Sequence, residues 1–186
     1  SEATARSAAL TWALRDGLGM VGSLLFSSVA SRYMDTYVKE FRLFADIIND
    51  VGLTLDMMSP WFEEPLYITT IAMVCKLMCG ISAGATKGSI TLHFCLRGNM
   101  ADLNAKEGTQ ETLMSLLGMI LGIGLGTFLQ AWEAAEGSSE YQLTASQLSW
   151  IIFHILTALH VYINYLGVKF LKLRTLHPER AAVVFQ

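Results

Sequence analysis

TLMSLLGMILGIGLGTFLQAW, residues 112–132, is a run of 21 residues without a charged side chain. A helix of that length extends over about 31 Å, which matches the hydrocarbon core of a bilayer. The run therefore predicts a transmembrane helix, and it indicates that this chain is an integral membrane protein.

The composition agrees with that prediction. Hydrophobic residues make up 53% of the 186 residues, and the formal net charge at pH 7 is only -3. A charge balance this mild, without basic residues interleaved with aromatic ones, argues against nucleic-acid binding. The three cysteines are odd in number and lack CxxC spacing, so they predict neither a disulfide framework nor a zinc site.

Four further segments are candidates for crossing the membrane. Three of them are long and carry few charges, whereas 43–59 contains Asp46, Asp50 and Asp56. Each aspartate would cost about 2.5 to 3.5 kcal/mol at the bilayer centre, so this segment cannot face lipid on all sides. The predicted fold is an all-α membrane helix bundle of about five transmembrane helices, forming one domain over 1–186. The predicted spans are 8–30, 43–59, 65–85, 112–132 and 148–168.

The charges of the loops favour crossing by all five segments. Lys and Arg concentrate on one side of a membrane topology. With five crossings, one side has ten basic residues in its loops and the other has only Arg6; with 43–59 outside the membrane, the ratio falls to eight against three. The C-terminus then lies on the positive side, which corresponds to cytosol, stroma or matrix.

Two of the predicted spans contain glycine at every fourth position. A GxxxGxxxG pattern lets another helix backbone approach closely, which is how helices associate in lipid. In a five-span protein we expect this contact to be intramolecular more often than a dimer seam. The glycines are Gly80, Gly84 and Gly88 in the third span and Gly118, Gly122 and Gly126 in the fourth.

Ionisable residues within the spans need partners, because they are expensive to bury in lipid. Counted from the interfaces, Lys76 and Asp50 lie at similar depth, and the long side chain of Arg15 can reach Asp56. We therefore predict a Lys76–Asp50 pair and an Arg15–Asp56 pair.

Helical spacing also predicts two polar stripes. Asp46, Asn49 and Asp50 lie three and four residues apart, so they share one face of the second span. If the two stripes face each other, they form a polar core with Asp50, Lys76 and His160 at its centre. The stripe of the last span consists of His154, Thr157, His160 and Asn164.

This polar core has two interpretations. Intramembrane ionisable residues mark substrate, cofactor or proton sites by default, but they also fix how helices pair, and the structural interpretation is favoured. His160 with Asn164 could hold a pigment or metal, and Lys76 could meet the aldehyde of a pyridoxal compound, although no motif implies a cofactor or a metal. GxSxG, HExxH and GK[ST] signatures are missing from the sequence, so we do not expect an enzyme.

The stretch NMADLNAKEGTQET, residues 99–112, is polar, unlike the rest of the chain. Gly108 can end a short helix and Thr109 can cap the next one, which puts Glu111 in a first turn where the helix dipole favours negative charge. The polar residues of this stretch are candidate ligand-binding residues, with a solvated loop as the alternative. They are Asn99, Asp102, Asn104, Lys106, Gln110 and Glu111.

The chain resembles the ROOT UVB SENSITIVE (RUS) family in five motifs, which occur in the family's order and cover most of the sequence. Plant members of that family are linked to root ultraviolet-B responses, auxin transport and pyridoxal-phosphate balance, and several act in plastids. The resemblance therefore implies an organelle membrane and a role in homeostasis or transport. The motifs are RDGLGM (15–20), RLFADIINDVG (42–52), GISAGATKGSITLH (80–93), NMADLNAKEGTQETL (99–113) and TALHVYINY (157–165).

Two functions follow as hypotheses. The first is a non-catalytic accessory or assembly subunit of a larger membrane complex, with lipid and other membrane-protein subunits as partners. Its expected location is a plastid membrane, thylakoid or envelope, with a mitochondrial membrane or the endomembranes as the alternative. The second is a small-molecule carrier or binder, linked to pyridoxal-phosphate or auxin homeostasis, that uses Asp50, Lys76, His160 and the 99–111 stretch.

Overall fold

The computed structural model of the chain describes residues 2–96, 98–135 and 143–173. Within these residues the structure consists of five α-helices and one short 3-10 turn, without a β-strand, which confirms the predicted all-α fold. The helices are α1 (Glu2–Met34), α2 (Val38–Met58), α3 (Pro65–Phe94), α4 (Met100–Ala135) and α5 (Ala145–Phe170), and the 3-10 turn Ser59–Trp61 lies between α2 and α3.

Three of the described helices, α3, α4 and α5, are long and apolar enough to cross a membrane. α1 and α2 fall short of that standard. Charged residues interrupt both of them: Arg15 and Asp16 lie within α1, and α2 carries three aspartates. The crossings by α1 and α2 therefore stay predictions.

The helices extend beyond several of the predicted spans, because a helix can continue into water after its apolar residues end. α3 begins at Pro65, the predicted start of its span, where a proline loses no intrahelical hydrogen bond.

At the start of α4, Asn99 uses its side-chain oxygen to accept a hydrogen bond from the Leu96 amide over 2.8 Å. Gly98 has a φ of 75°, which favours glycine.

The prediction that Gly108 ends a helix and that Thr109 caps the next one is wrong. α4 continues through both residues without interruption. One glycine costs a helix only about 1 kcal/mol relative to alanine, and good helix formers surround this one. The Thr109 hydroxyl donates a hydrogen bond to the Ala105 carbonyl of the preceding turn over 2.8 Å, so it acts inside the helix and not as a cap.

The chain divides into two compact units, of which the first comprises Ser1–His93 and Ile163–Gln186. In its described part, glycines allow the helices to approach closely. A Cβ at Gly19 would lie 2.8 Å from Met73 Cγ, and one at Gly22 would lie 2.9 Å from Val74 Cγ2, so α1 packs against α3 at these two positions.

Gly52 has the same function between α2 and α3. A Cβ there would lie 3.0 Å from the backbone oxygen of Ala72 and 3.1 Å from Lys76 Cγ. Since Ala72 is fully buried, this contact sets the level at which α2 passes α3. At the other end of α2, Phe44 stacks on Phe26 of α1 with ring centroids 5.7 Å apart.

The second unit, Phe94–Tyr162, contains α4 and most of α5. The apolar segment of α4 has no buried residue, and Leu121 is 72% exposed. Between the two helices, the Trp132 indole donates a hydrogen bond to the Leu143 carbonyl over 2.8 Å. An apolar surface of this extent is suited to contact with lipid or with other membrane proteins.

Within each unit, the described residues of other helices leave open the place where a Cβ would stand at each of the six glycines of the two rows. The expected intramolecular packing of these rows stays a prediction. The close approaches are made instead by isolated glycines, Gly19, Gly22 and Gly52. Packing of the glycine rows against another molecule stays a prediction. The six are Gly80, Gly84, Gly88, Gly118, Gly122 and Gly126.

Candidate functional site

Two aspartates of α2 are buried, and both lie within electrostatic reach of Cys79 in α3. Asp46 and Asp50 are 9% and 8% exposed, and Asn49 between them is half-buried. The three residues share one face of the helix, as their spacing predicted. Two buried carboxylates require compensation from their surroundings, because their transfer out of water is expensive.

One face of α3 carries small and polar side chains at alternating steps of four and three residues. Three of them contact or approach α2: Cys75 lies against Gly52, Cys79 lies within electrostatic reach of Asp46, and the Ser89 hydroxyl is 3.1 Å from an Asp35 carboxylate oxygen just before α2. The whole row therefore faces α2. It consists of Cys75, Cys79, Ser82, Thr86 and Ser89.

Ser82 is fully buried in this row. Thr86, one turn later, donates its hydroxyl to the Ser82 backbone carbonyl over 2.7 Å, as serines and threonines in helices often do. The Ser82 hydroxyl differs, since among the described residues it has no hydrogen-bond partner. A buried hydroxyl in that state is suited to bind a ligand.

Lys76 of α3 forms a salt bridge with Asp56 of α2. The prediction that Lys76 pairs with Asp50 was wrong. Side chains in a helix lean toward its N-terminus, so Lys76 extends toward the α2–α3 turn, and Asp56, on the antiparallel helix, leans away from the turn to meet it. Counting residues from the membrane interface gives the depth of each Cα in the membrane, but it does not include the direction in which the side chain leans.

The predicted Arg15–Asp56 pair was also wrong. Arg15 Nη2 lies 2.9 Å from the Oδ1 of Asp16, its neighbour in the chain, and the guanidinium lies over the Trp12 ring at 4.6 Å from its centroid. A neighbouring carboxylate on the same helix is already within reach, and Asp56 is bound by Lys76.

His160 and Asn164 lie in different units of the chain, His160 in the second and Asn164 in the first. His160 is exposed and Asn164 is half-buried. Their place in a polar core with Asp50 and Lys76 stays a prediction. Elsewhere in the predicted α5 stripe, His154 Nδ1 lies 2.8 Å from the Trp150 carbonyl oxygen of its own helix.

The candidates of the 99–112 stretch lie at and after the start of α4. Lys106 pairs with Asp102 one turn earlier at 2.8 Å, and both side chains are more than half exposed. Gln110 and Glu111 are exposed as well. Asn99 directly precedes α4 and its side chain accepts a hydrogen bond from the Leu96 amide, so at this position the structure supports a local structural role.

Residues 1–186 match the model of a family described as "Vitamin B6 photo-protection and homoeostasis domain". The chain belongs to the RUS family. The resemblance that the five motifs indicated is thereby confirmed.

Several RUS relatives are similar over nearly all of this chain. It is 34% identical to RUS family member 1 of Dictyostelium discoideum, covering 100% of the chain and 33% of the relative. It is 35% identical to root UVB sensitive 3 of Arabidopsis thaliana, covering 98% of the chain and 39% of the relative. It is 29% identical to the chloroplastic root UVB sensitive 2 of the same plant, covering 97% of the chain and 39% of the relative. The chain thus spans about a third to two-fifths of these relatives. No solved structure matches it.

Sequence reasoning missed part of the α2–α3 interface in this RUS chain. Neither Ser82 nor Cys79 was among the candidate residues, and Gly52 received no packing role. The alternating four and three steps of Cys, Cys, Ser, Thr and Ser along α3 are a signal that could have revealed this face. The GxxxGxxxG pattern lies in the same part of α3, so helix packing was predicted on the neighbouring glycine face instead.

Proposed function

We propose that this chain is the membrane part of a protein of vitamin B6 homeostasis that binds and carries a B6 vitamer between α2 and α3, without catalysing a reaction on it. One observation supports this most: two carboxylates of α2 are buried within electrostatic reach of Cys79 of α3, and the buried Ser82 hydroxyl, one turn beyond Cys79, has no hydrogen-bond partner among the described residues. Intramembrane ionisable groups are functional sites by default.

The chemistry of the vitamers suits these groups. Their pyridine ring has a nitrogen that pairs with an aspartate in many enzymes that use pyridoxal phosphate. The substituents of the ring include hydroxyl groups, which can exchange hydrogen bonds with the Ser82 hydroxyl. The ring itself is apolar on both faces, and the cysteines and alanines lining this interface offer apolar contact.

Equilibrium dialysis of tritiated pyridoxine against the purified protein in lipid nanodiscs tests the proposal. We expect saturable binding that weakens by about 10-fold or more in Asp50→Asn, because a hydrogen bond to a charged group contributes about 1.5 to 3 kcal/mol. Glu133→Gln, which removes an exposed carboxylate near the end of α4, is the control and should bind like the wild type. Absence of saturable binding by the wild type, with pyridoxal and pyridoxamine tested alongside, would refute the proposal.

A second function is supported by the open glycine rows and by the exposed apolar surface of α4. In this proposal the chain is an accessory or assembly subunit of a larger membrane complex, and the glycine rows accept helices of other subunits. Purification in mild detergent followed by native mass measurement should then reveal partner subunits in fixed stoichiometry. A monomer or homodimer alone would exclude this function.

We propose a plastid membrane as the location. Support comes from one relative of 29% identity that is named chloroplastic. Immunogold labelling of the full-length protein in its own cells should mark the plastid envelope or the thylakoids, and labelling confined to mitochondria or endomembranes would contradict the proposal.

A further inference from the structure

The four tryptophans of this chain form two pairs, one in each unit. Trp12 and Trp61 belong to the first unit, and Trp132 and Trp150 belong to the second. An indole ring combines a large apolar body with one N–H donor, so tryptophans are enriched at the interface between a bilayer and water. The position of each pair along its helices therefore indicates which end of the unit meets such an interface.

Trp12 and Trp61 lie at the same end of the first unit. The connections from α1 to α2 and from α2 to α3 are short, so α1 runs antiparallel to α2 and parallel to α3. Gly19 of α1 meets Met73 of α3, and Trp12 precedes Gly19 by seven residues. Pro65, the first residue of α3, precedes Met73 by eight, so Trp12 lies near the level at which α3 begins. Trp61 lies in the 3-10 turn just before that start, so both indoles are at this end.

Both indoles of this pair are exposed and lie beside charged side chains. Trp12 is 61% exposed and Trp61 is 66% exposed. The Arg15 guanidinium leans back toward the N-terminus of α1, where it lies over the Trp12 ring at 4.6 Å from the centroid. Glu63 and Glu64, which follow Trp61 closely, are exposed as well. Exposed indoles beside charges suit the headgroup level of a bilayer, where the ring meets apolar chains while the charges stay in water.

The pair of the second unit flanks the connection between α4 and α5. Trp132 ends the uncharged run 112–132, and the exposed Glu133 follows it directly. Trp150 lies in the second turn of α5, with its ring centroid 5.4 Å from that of His154. The first charge after the apolar run thus falls next to Trp132, which is where a helix of bilayer length leaves the hydrocarbon.

The order of the helices along the chain relates the two pairs to the membrane. α3 and α4 lie between Trp61 and Trp132, and both are long and apolar enough to span a bilayer. Two crossings return a chain to the side on which it began, so by chain order alone both pairs belong to one side. In the five-span topology this is the side whose loops carry Arg6 as their single basic residue.

We propose that the four tryptophans anchor the protein in one leaflet of its membrane, with their rings at the headgroup level on the side that carries Arg6. The partner of this surface is lipid. Each pair lies at the end of a helix that is long and apolar enough to span, and beside charges that an interface with another protein would have to desolvate. The inference concerns how the protein is held in its membrane, so it does not depend on a vitamer site between α2 and α3.

Quenching of tryptophan fluorescence by spin-labelled phosphatidylcholines measures the depth of each ring. Four variants, each with one native tryptophan and with phenylalanine at the other three positions, are reconstituted in phosphatidylcholine vesicles. We expect a nitroxide near the headgroup to quench each native tryptophan about two-fold or more strongly than a nitroxide near the end of the acyl chain. The control is Leu121→Trp with all four tryptophans replaced. Leu121 is 72% exposed and lies in the middle of the apolar run of α4, so the order of quenching should reverse there.

Two results would overturn the proposal. Stronger quenching of the native tryptophans by the deep nitroxide, as in the control, would place the rings in the hydrocarbon. Insensitivity to both nitroxides would place them in water or beneath another protein. The wild type, in which all four rings are measured together, should show the same order as the single-tryptophan variants, so the conclusion does not depend on the folding of any one variant.

Iodide, which does not cross a bilayer, tests whether the tryptophans share one side. In sealed vesicles selected by an affinity tag at the C-terminus, that terminus faces outward and the tryptophans should lie on the inner side. Iodide added outside should then leave all four single-tryptophan variants unquenched, whereas iodide on both sides should quench each of them. Quenching of any one variant by outside iodide would contradict the shared side.

Discussion

Lys76 of α3 pairs with Asp56 of α2, and Gly52, one turn before Asp56, lies against the aliphatic stem of the lysine. The approach of the two helices at Gly52 and the salt bridge therefore belong to one contact. Because Lys76 Cγ is 3.1 Å from the place of a Cβ at position 52, the lysine runs along the glycine to reach the carboxylate. The α2–α3 hairpin is thus fixed near its turn, and the buried acidic face lies beyond this point.

The pairing predicts a specific energetic coupling. A double-mutant cycle with Lys76→Met and Asp56→Asn should give a coupling of about 1 kcal/mol, since the two groups are in contact but only two-thirds buried. The exposed Lys106–Asp102 pair is the matched control and should give about 0.3 to 0.5 kcal/mol. Denaturation in detergent measures both. A larger coupling of Lys76 to Asp50 than to Asp56 would contradict the structure.

Gly52 and Gly84 should respond in opposite ways to alanine. In Gly52→Ala, the new Cβ meets the Ala72 backbone, which cannot move away easily, so we expect a loss of about 1 to 3 kcal/mol in the free energy of unfolding. Gly84→Ala places its Cβ in open space and should be neutral or stabilising. Thermal unfolding of the two variants side by side tests the packing, and equal destabilisation would show that the glycine row of α3 does pack.

Gly108 provides a test of helix continuity. Because α4 passes through this residue, Gly108→Ala should stabilise the protein by about 0.5 to 1 kcal/mol. A residue that ended a helix in a left-handed conformation would respond with destabilisation instead. Unfolding followed by far-ultraviolet circular dichroism distinguishes the two signs.

The crossing by α2 can be tested with an impermeant thiol reagent. Glu40 and Glu64 lie near opposite ends of α2 and both are exposed. In sealed vesicles of a variant whose native cysteines are replaced by alanine, Glu40→Cys and Glu64→Cys should react from opposite sides if the segment crosses. Reaction of both cysteines from the same side would show that 43–59 does not cross the membrane. The basic loop residues would then be distributed eight against three instead of ten against one.

The sequence predicted the helical class and the main apolar helices well, because runs such as 112–132 admit few alternatives in lipid. It also predicted the shared face of Asp46 and Asp50, which follows from helical periodicity alone. The partners of Lys76 and Arg15 could not be obtained in this way, since they depend on the direction in which long side chains lean. Helix ends such as that of α3, which continues to Phe94, do not follow from apolarity, because a helix can continue into water after its apolar residues end.

The glycine rows illustrate a second limit. A GxxxG pattern indicates that close approach is possible, but the actual approaches depend on which faces the other helices present. In α1 and α2 single glycines make these contacts, because Met73, Val74 and Ala72 of α3 meet them. Such matches involve residues far apart in the chain, and one sequence does not reveal them.

Protection of a native thiol by pyridoxine tests whether a B6 vitamer binds between α2 and α3. Cys79 is half-buried at the level of Asp46 and Asp50, whereas Cys95 lies just after the end of α3. The rate of alkylation by N-ethylmaleimide, followed for each cysteine by peptide mass spectrometry, should fall several-fold at Cys79 in saturating pyridoxine and stay unchanged at Cys95. Equal rates at Cys79 with and without pyridoxine would contradict binding of the vitamer beside this thiol.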